Sequence, residues 1–142
     1  MTTQSEHLVE AIMHKGVIGC KPSTSLEEVI RIMADTNVEV LVVTGPDEEA
    51  LGVISQLDVL PFYSQNLKGV RARDMMRTDM IAIRPEMSVK EAAGIMVERG
   101  ISDLIVTIRG DAGLRALGVL TTGHVIKAMR GSKWMWYFSP AP

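Results

Sequence analysis

A single cysteine, Cys20, stands in the 142 residues, so the chain forms no internal disulfide. That usage is expected of a reducing, cytoplasmic compartment. Aromatic residues are scarce, six in all, and none falls in the repeated segments described below. Phe62 and Tyr63 follow the first of them, and Trp134, Trp136, Tyr137 and Phe138 follow the second. The core is therefore expected to be aliphatic and methionine-rich, which suits close helix–sheet layers. Charge of neither sign dominates: 15 basic against 17 acidic residues leave a net −2. This excludes the broad basic surface of nonspecific nucleic-acid binders. No apolar run reaches the roughly 18–20 residues of a membrane helix, so no span is expected. The polar start, Met1 to His7, lacks the basic-then-apolar pattern of a signal peptide. There is no CxxC, HExxH, GxSxG, Walker loop or GxGxxG, and nothing arranged for nucleophilic or acid–base chemistry. The chain is not expected to be an enzyme. With 46% hydrophobic residues it reads as one globular domain.

What is present is a doubling. Ile18-Gly-Cys-Lys-Pro-Ser-Thr-Ser-Leu-Glu-Glu-Val29 returns 63 positions later as Ile81-Ala-Ile-Arg-Pro-Glu-Met-Ser-Val-Lys-Glu-Ala92. Leu51-Gly-Val-Ile-Ser55 returns as Leu117-Gly-Val-Leu-Thr121, now 66 positions on, so one loop gained three residues. Each copy opens with a short helix (Leu8, Val9, Ile12 and Met13; Ala72, Met75 and Met76). A short strand follows, near Val17–Ile18 and Met80–Ile83. Ser25 with Glu28, and Ser88 with Glu91, fit reciprocal capping boxes at the start of a longer helix. Apolar residues at helical spacing continue it, and Asn37 and Gly100 stop it. The β-branched runs 38–43 and 101–108 predict strands. Turn residues lead from each to a last strand and a helix capped by Ser55 or Thr121. The spacing thus predicts a β-α-β-β-α order in each copy. Copy one spans 8–62, a connector 63–72, copy two 73–130, and an aromatic C-terminal tail 131–142.

This order, with Gly52-Val-Ile-Ser-Gln-Leu-Asp58 at the last strand–helix junction and prolines at 22 and 85, resembles the cystathionine-β-synthase (CBS) domain family. The resemblance covers about residues 8–130. It implies an α/β (α+β) fold of two CBS repeats packed sheet to sheet with pseudo-two-fold symmetry, a Bateman module. It also implies an adenosine-containing regulatory ligand in the cleft between repeats, such as AMP, another adenine nucleotide or S-adenosylmethionine, with no required cofactor. Gly52 would let a ligand approach the backbone. Ser55 would offer a helix N-terminus to phosphate. Asp58, an acceptor-only carboxylate one turn on, would take the ribose hydroxyls. Asp58 also reads simply as helix-start chemistry, and that alternative stays open. By the family's pattern, Met80, Ile81, Ile101 and Ser102 from the second copy would face the base; as ordinary core residues they would fit equally well.

The copies differ where a ligand would sit. His124 replaces the aspartate, so a second, weaker cleft is expected from Ile18, Val38, Thr121 and His124. Glu39 and Asp103 stand where polyphosphate-binding relatives place basic residues, which disfavours ATP and ADP. Lys21, Arg84 and Lys127 either compensate that charge or are merely solvated. The resemblance further implies a homodimer of discs. The aromatic tail, with basic residues before it, would fold back on its own module or on a second chain, sealing such a dimer, or would dock on a partner or a membrane surface. A stand-alone sensor of this kind would signal to an unidentified regulated protein. A ligand-free interaction and dimerisation scaffold is the competing reading. Metal or redox sensing through His124 and Cys20 is a third.

Overall fold

Two β-branched runs organise the chain, because both of their faces find cover. The computed structural model describes residues 7–131. In order, its elements are α1 (Val9–Ile12), β1 (His14–Lys15), β2 (Gly19–Cys20), α2 (Leu26–Thr36), β3 (Val40–Thr44), β4 (Ala50–Ser55) and α3 (Gln56–Val59). A 3-10 turn at Leu60–Phe62 follows, then α4 (Ala72–Met75), β5 (Ala82–Ile83), α5 (Val89–Arg99), β6 (Asp103–Arg109), β7 (Leu114–Thr121) and α6 (Thr122–Arg130). The aromatic tail expected at 131–142 lies, from residue 132 on, outside the described residues.

The strands form two sheets, β2-β3-β4 and β1-β7-β6-β5. In each, a parallel pair (β2 with β3, β5 with β6) joins an antiparallel hairpin (β3–β4, β6–β7). Side chains alternate across a strand with period two. Leu41, Val43 and Ile54 therefore turn to a helix-covered core with Leu26, Val29 and Met33. Val40, Val42 and Val53 turn the other way and meet Ile105 and Val119 of the second sheet. Leu104, Val106 and Leu120 complete a second helix-covered core with Ala92 and Met96. A strand buried on both faces reads as a continuous apolar run, as these do. The two copies are thus packed sheet to sheet. The fully buried side chains are aliphatic, as expected, but only Met33 and Met96 among the described methionines are buried.

The helix boundaries follow their caps. The Ser25 Oγ accepts from the Glu28 N–H at 3.2 Å, and the Ser88 Oγ from the Glu91 N–H at 3.1 Å. The expected reciprocal bond is formed at neither among the described residues; Glu28 turns instead to Arg31 at 3.1 Å. An exposed carboxylate gains more from an adjacent guanidinium on its own face than from folding back to one N–H. Asn37 and Gly100 end the helices in the left-handed conformation, φ 55° and 63°.

The short opening helices pack across the copies. Val9 of α1 is buried in the core of the second half, and its N–H donates to the Met87 carbonyl at 2.8 Å. Ala72 of α4 is buried in the first half, and its N–H donates to the Thr24 carbonyl at 2.8 Å. A four-residue helix cannot sustain itself and takes its stability from whatever apolar face covers it. Each copy's opening segment thus completes the other's core. α3 is also short, because Pro61 has no N–H to continue it.

Candidate functional site

The cleft forms where the end of β4 and α3 of the first half face the entries to β5 and β6 of the second. Its volume is about 760 Å³, within the range of small-molecule sites. Ser55, Asp58, Met80, Ile81, Ile101 and Ser102, six of the seven residues expected of the main cleft, line it together. Gly52 does not. Its missing Cβ is filled by protein: an added carbon would lie 2.7 Å from the Arg77 carbonyl oxygen and 3.1 Å from the Met76 sulfur. Gly52 is required by a chain crossing, not by a ligand at that point. Gly118 has the same role, with the His14 carbonyl in the place of its Cβ.

Asp58 anchors the cleft. Its Oδ2 accepts from the Ser55 N–H at 2.8 Å, the Ser55 hydroxyl at 2.8 Å and the Arg77 Nε at 3.0 Å. The helix-start role that the sequence left open is therefore in force. Burial is the largest influence on this carboxyl and pushes it up. The Ser55 bonds and the Arg77 guanidinium together outweigh it and hold Asp58 below its ordinary value. Asp58 is thus ionised at neutral pH, which makes it an acceptor-only carboxylate. Ser55, by contrast, offers little to phosphate by the expected route, since a four-residue helix has almost no aligned dipole.

Sequence reasoning missed Arg77 and Asp79. Arg77 is placed by backbone pairing with Val53, N–H to carbonyl at 2.8 Å and the reverse at 2.9 Å. It is the counterpart of His14 in the register of the doubling but falls outside every repeated motif, so only that register signalled it. Among the described residues, four carboxylates (Glu39, Asp58, Asp79 and Asp103) and two guanidiniums (Arg77 and Arg99) line the cleft. Burial first, then the neighbouring Glu39 and Asp58 charges, push the Asp103 carboxyl up against the pull of Arg77 and Ser102. The walls are therefore short of positive charge. Lys21, Arg84 and Lys127 are not among the lining residues, and Arg84 is occupied by Glu86 at 3.3 Å.

The four residues expected of a second cleft are not gathered in this one. Ile18 and Val38 are half-buried against the first core, and the Ile18 carbonyl accepts from Val42 at 3.1 Å. Thr121 and His124 form a complete capping box. The Thr121 N–H donates to the His124 Nδ1 at 2.9 Å, and the His124 N–H to the Thr121 Oγ1 at 3.3 Å. Here imidazole does the work of the carboxylate, provided Nδ1 is unprotonated. Burial, then the charges of Lys127 and His14, hold His124 below its usual pKa, while Glu39 pulls it up.

This gives a pH prediction with a definite sign. A histidine whose folded pKa is depressed stabilises above its unfolded value, about 6.5, and the contribution is lost as pH falls through the folded pKa. Protonation removes the cap, worth about 1 kcal/mol. Thermal melts from pH 7.5 to 5.5 should fall by roughly 2–4 °C more for the wild type than for His124→Asp, whose carboxylate keeps the box throughout. Equal falls would show that the cap does not respond to this proton.

Cys20 is a buried core thiol beside Leu41 and Val43, and burial raises its pKa against a hydrogen bond from Thr24. Such a thiol is inert rather than reactive. No group of three or more metal-ligating side chains is gathered among the described residues, and no helix among them is long and apolar enough to cross a membrane.

Comparison with known proteins follows the same outline. A family model described as CBS domain matches twice, at residues 9–64 and 72–131. The CBS domain pair of protein MJ0100, solved with 5′-methylthioadenosine and S-adenosyl-L-methionine, superposes with a TM-score of 0.78 at 23% identity, covering 91% of this chain and 100% of that one. CBSX2 in complex with AMP gives 0.74 at 25% identity, covering 87% and 96%. Among curated proteins, uncharacterized protein MK0525 of Methanopyrus kandleri is 27% identical over 122 residues, 84% of this chain. The homoserine O-acetyltransferase of Methanohalobium evestigatum is 25% identical over 121 residues, 85% of this chain. The chain spans 61% and 24% of the length of these two relatives.

Proposed function

This chain belongs to the CBS-domain family as a tandem CBS pair, and on that premise we propose that it is a regulatory module. It takes an adenosine-containing ligand in the cleft at Asp58 and signals occupancy to a partner protein; it performs no chemistry itself. The observation that carries this reading is the convergence of Ser55 and Asp58 from one copy with Met80, Ile81, Ile101 and Ser102 from the other on one cleft. Asp58 is the ribose acceptor. Met80, Ile81 and Ile101 supply apolar area for the base, and Ser102 completes that wall. The relatives solved with 5′-methylthioadenosine, S-adenosyl-L-methionine and AMP support the ligand class. The partner acts through the packing of the two halves, which a ligand shifts only as far as its affinity for the two arrangements differs.

The excess of carboxylates in the walls orders the ligands. At close range a like charge in a partly dry cleft is strongly disfavoured. S-adenosylmethionine, with its sulfonium, and neutral methylthioadenosine should therefore bind more tightly than AMP, and AMP more tightly than ATP. Titration calorimetry against these four tests it. No heat from any of them removes the adenosyl reading, and ATP as the tightest removes the charge argument.

A second reading, an interaction scaffold, has its own observation. Leu60 and Ile126 occupy equivalent positions of the two copies and are both 62% exposed; Leu57 and Tyr63 are exposed beside the first. Large apolar side chains left out at matching places suit a second copy of the chain. Sedimentation at micromolar concentration reads this directly: a dimer supports it, a monomer removes it. The adenosyl and dimer readings are compatible, and ligand-free dimers alone would favour the scaffold.

A further inference from the structure

Arg77 occupies the acceptor that a ribose needs. Three donors already converge on the Asp58 Oδ2: two from Ser55 and one from Arg77. A carboxylate offers about four lone-pair sites over two oxygens, and the vicinal hydroxyls of a ribose reach both oxygens of one carboxylate. In that geometry, with one hydroxyl on each oxygen, a donor at Oδ2 has to give way. The Ser55 N–H cannot leave, because its bond to Asp58 is the start of α3, and turning the Ser55 hydroxyl away would still leave two donors, the Ser55 N–H and Arg77, on Oδ2. Arg77 can leave. Its side chain is 42% exposed, its backbone is fixed independently by Val53, and a second carboxylate, Asp79, already lies 3.7 Å from its Nη1. Asp103 adds a further negative charge on the far wall.

We propose that Arg77 is a displaceable latch on Asp58, and so a specificity-determining residue. An adenosyl ligand enters by exchanging the guanidinium for its ribose hydroxyls, and the guanidinium passes to Asp79 and Asp103. This inference rests on the adenosyl reading of the cleft. The latch opposes every ribose equally, whatever the 5′ group carries. Removing it therefore helps a neutral ligand. It helps a cationic one more, since among the described lining residues Arg99 then faces four carboxylates without Arg77. An anionic ligand gains least, because it loses a favourable charge together with the competitor.

The test is Arg77→Met in the full chain, with calorimetry against methylthioadenosine, S-adenosylmethionine and AMP. Methylthioadenosine should tighten about three- to tenfold, the scale of a partly exposed charge-assisted bond. S-adenosylmethionine should gain more and AMP less. Salt gives a second readout, since an uncharged ligand feels it only through the latch. Wild-type affinity for methylthioadenosine should rise as salt screens the Arg77–Asp58 pair, while the variant stays flat. Circular dichroism checks the fold, and Arg77→Gln replaces the methionine variant if that one melts early. Wild-type binding that is unchanged or weakened in both variants overturns the latch alone. No binding by any form overturns the adenosyl reading and the latch with it.

Discussion

Replacing Asp58 by alanine is expected to weaken adenosyl-ligand binding about 100-fold while leaving the fold standing. Hydrogen bonds to an ionised group contribute about 1.5–3 kcal/mol each. Losing two, with some relaxation of the ligand, removes roughly 3 kcal/mol, which is about two decades in Kd. The structural cost is smaller. The Ser55 N–H loses its acceptor at the start of α3, a cap worth about 1 kcal/mol. Arg77 loses its nearest partner but keeps Asp79. Asp58→Asn separates the two roles, because its amide keeps one acceptor for Ser55 but has no charge. It should melt near the wild type and still bind about tenfold more weakly. Calorimetry with methylthioadenosine, beside a thermal melt of each variant, reads both. Undiminished binding by Asp58→Ala would reduce Asp58 to a helix cap.

The parts of this site that repeat were legible in the sequence, because repetition exposes scaffold. Ser55 and Thr121 both cap a helix, Asn37 and Gly100 both end one, and the β-branched runs both became central strands. The convergence of Ser55 and Asp58 with Met80, Ile81, Ile101 and Ser102 followed from the family's pattern, carried over residue by residue. Other features were not legible. Nothing in Val9 or Ala72 says which half will cover it, since both halves present aliphatic cores of the same kind. Arg77 lies outside the motifs and is delivered to Asp58 by a backbone pairing with Val53, a bridge between segments distant in sequence. Glycine at 52 and 118 was visible, but whether a ligand or the protein's own chain fills the space is a tertiary fact.

The same crossing sets the difference between the copies. Arg77 pairs with β4 as His14 pairs with β7, at matching places of the two halves. Asp58 thus meets a guanidinium, whereas His124 is held down first by burial and then by the charges of Lys127 and His14. A carboxylate accepting from Ser55 and Arg77 is held below its ordinary pKa against its burial, and a partly buried imidazole near like charges is held below its own. The first junction keeps an anion ready for hydroxyls. The second keeps a neutral ring occupied in its own cap.

Those crossings make Gly118→Ala and Gly52→Ala the most destabilising conservative changes expected in the chain. At Gly118 a methyl group falls on the His14 carbonyl, and at Gly52 it lies 2.7 Å from that of Arg77. Neither obstacle is a flexible side-chain tip. To yield, His14 must strain β1 and the neighbouring Gly16 N–H bond to Leu117, and Arg77 must lengthen both its bonds to Val53. Overpacking costs about 1–3 kcal/mol, and each backbone bond lost adds about 1 kcal/mol. A drop of roughly 5–15 °C in Tm follows for a chain of this size. Gly94→Ala is the control: it lies inside α5 with nothing within 4 Å of the added carbon. It should hold or raise stability by up to about 1 kcal/mol. The two crossing variants should also differ in function. Gly118→Ala disturbs the His124 junction and leaves the Asp58 cleft to bind at temperatures where the protein is folded. Gly52→Ala shifts the backbone that carries Arg77, so it should change ligand affinity as well as Tm. Equal affinity in the two, measured well below both melting points, would mean that the crossing at Val53 supports the fold but does not set the position of Arg77 over Asp58.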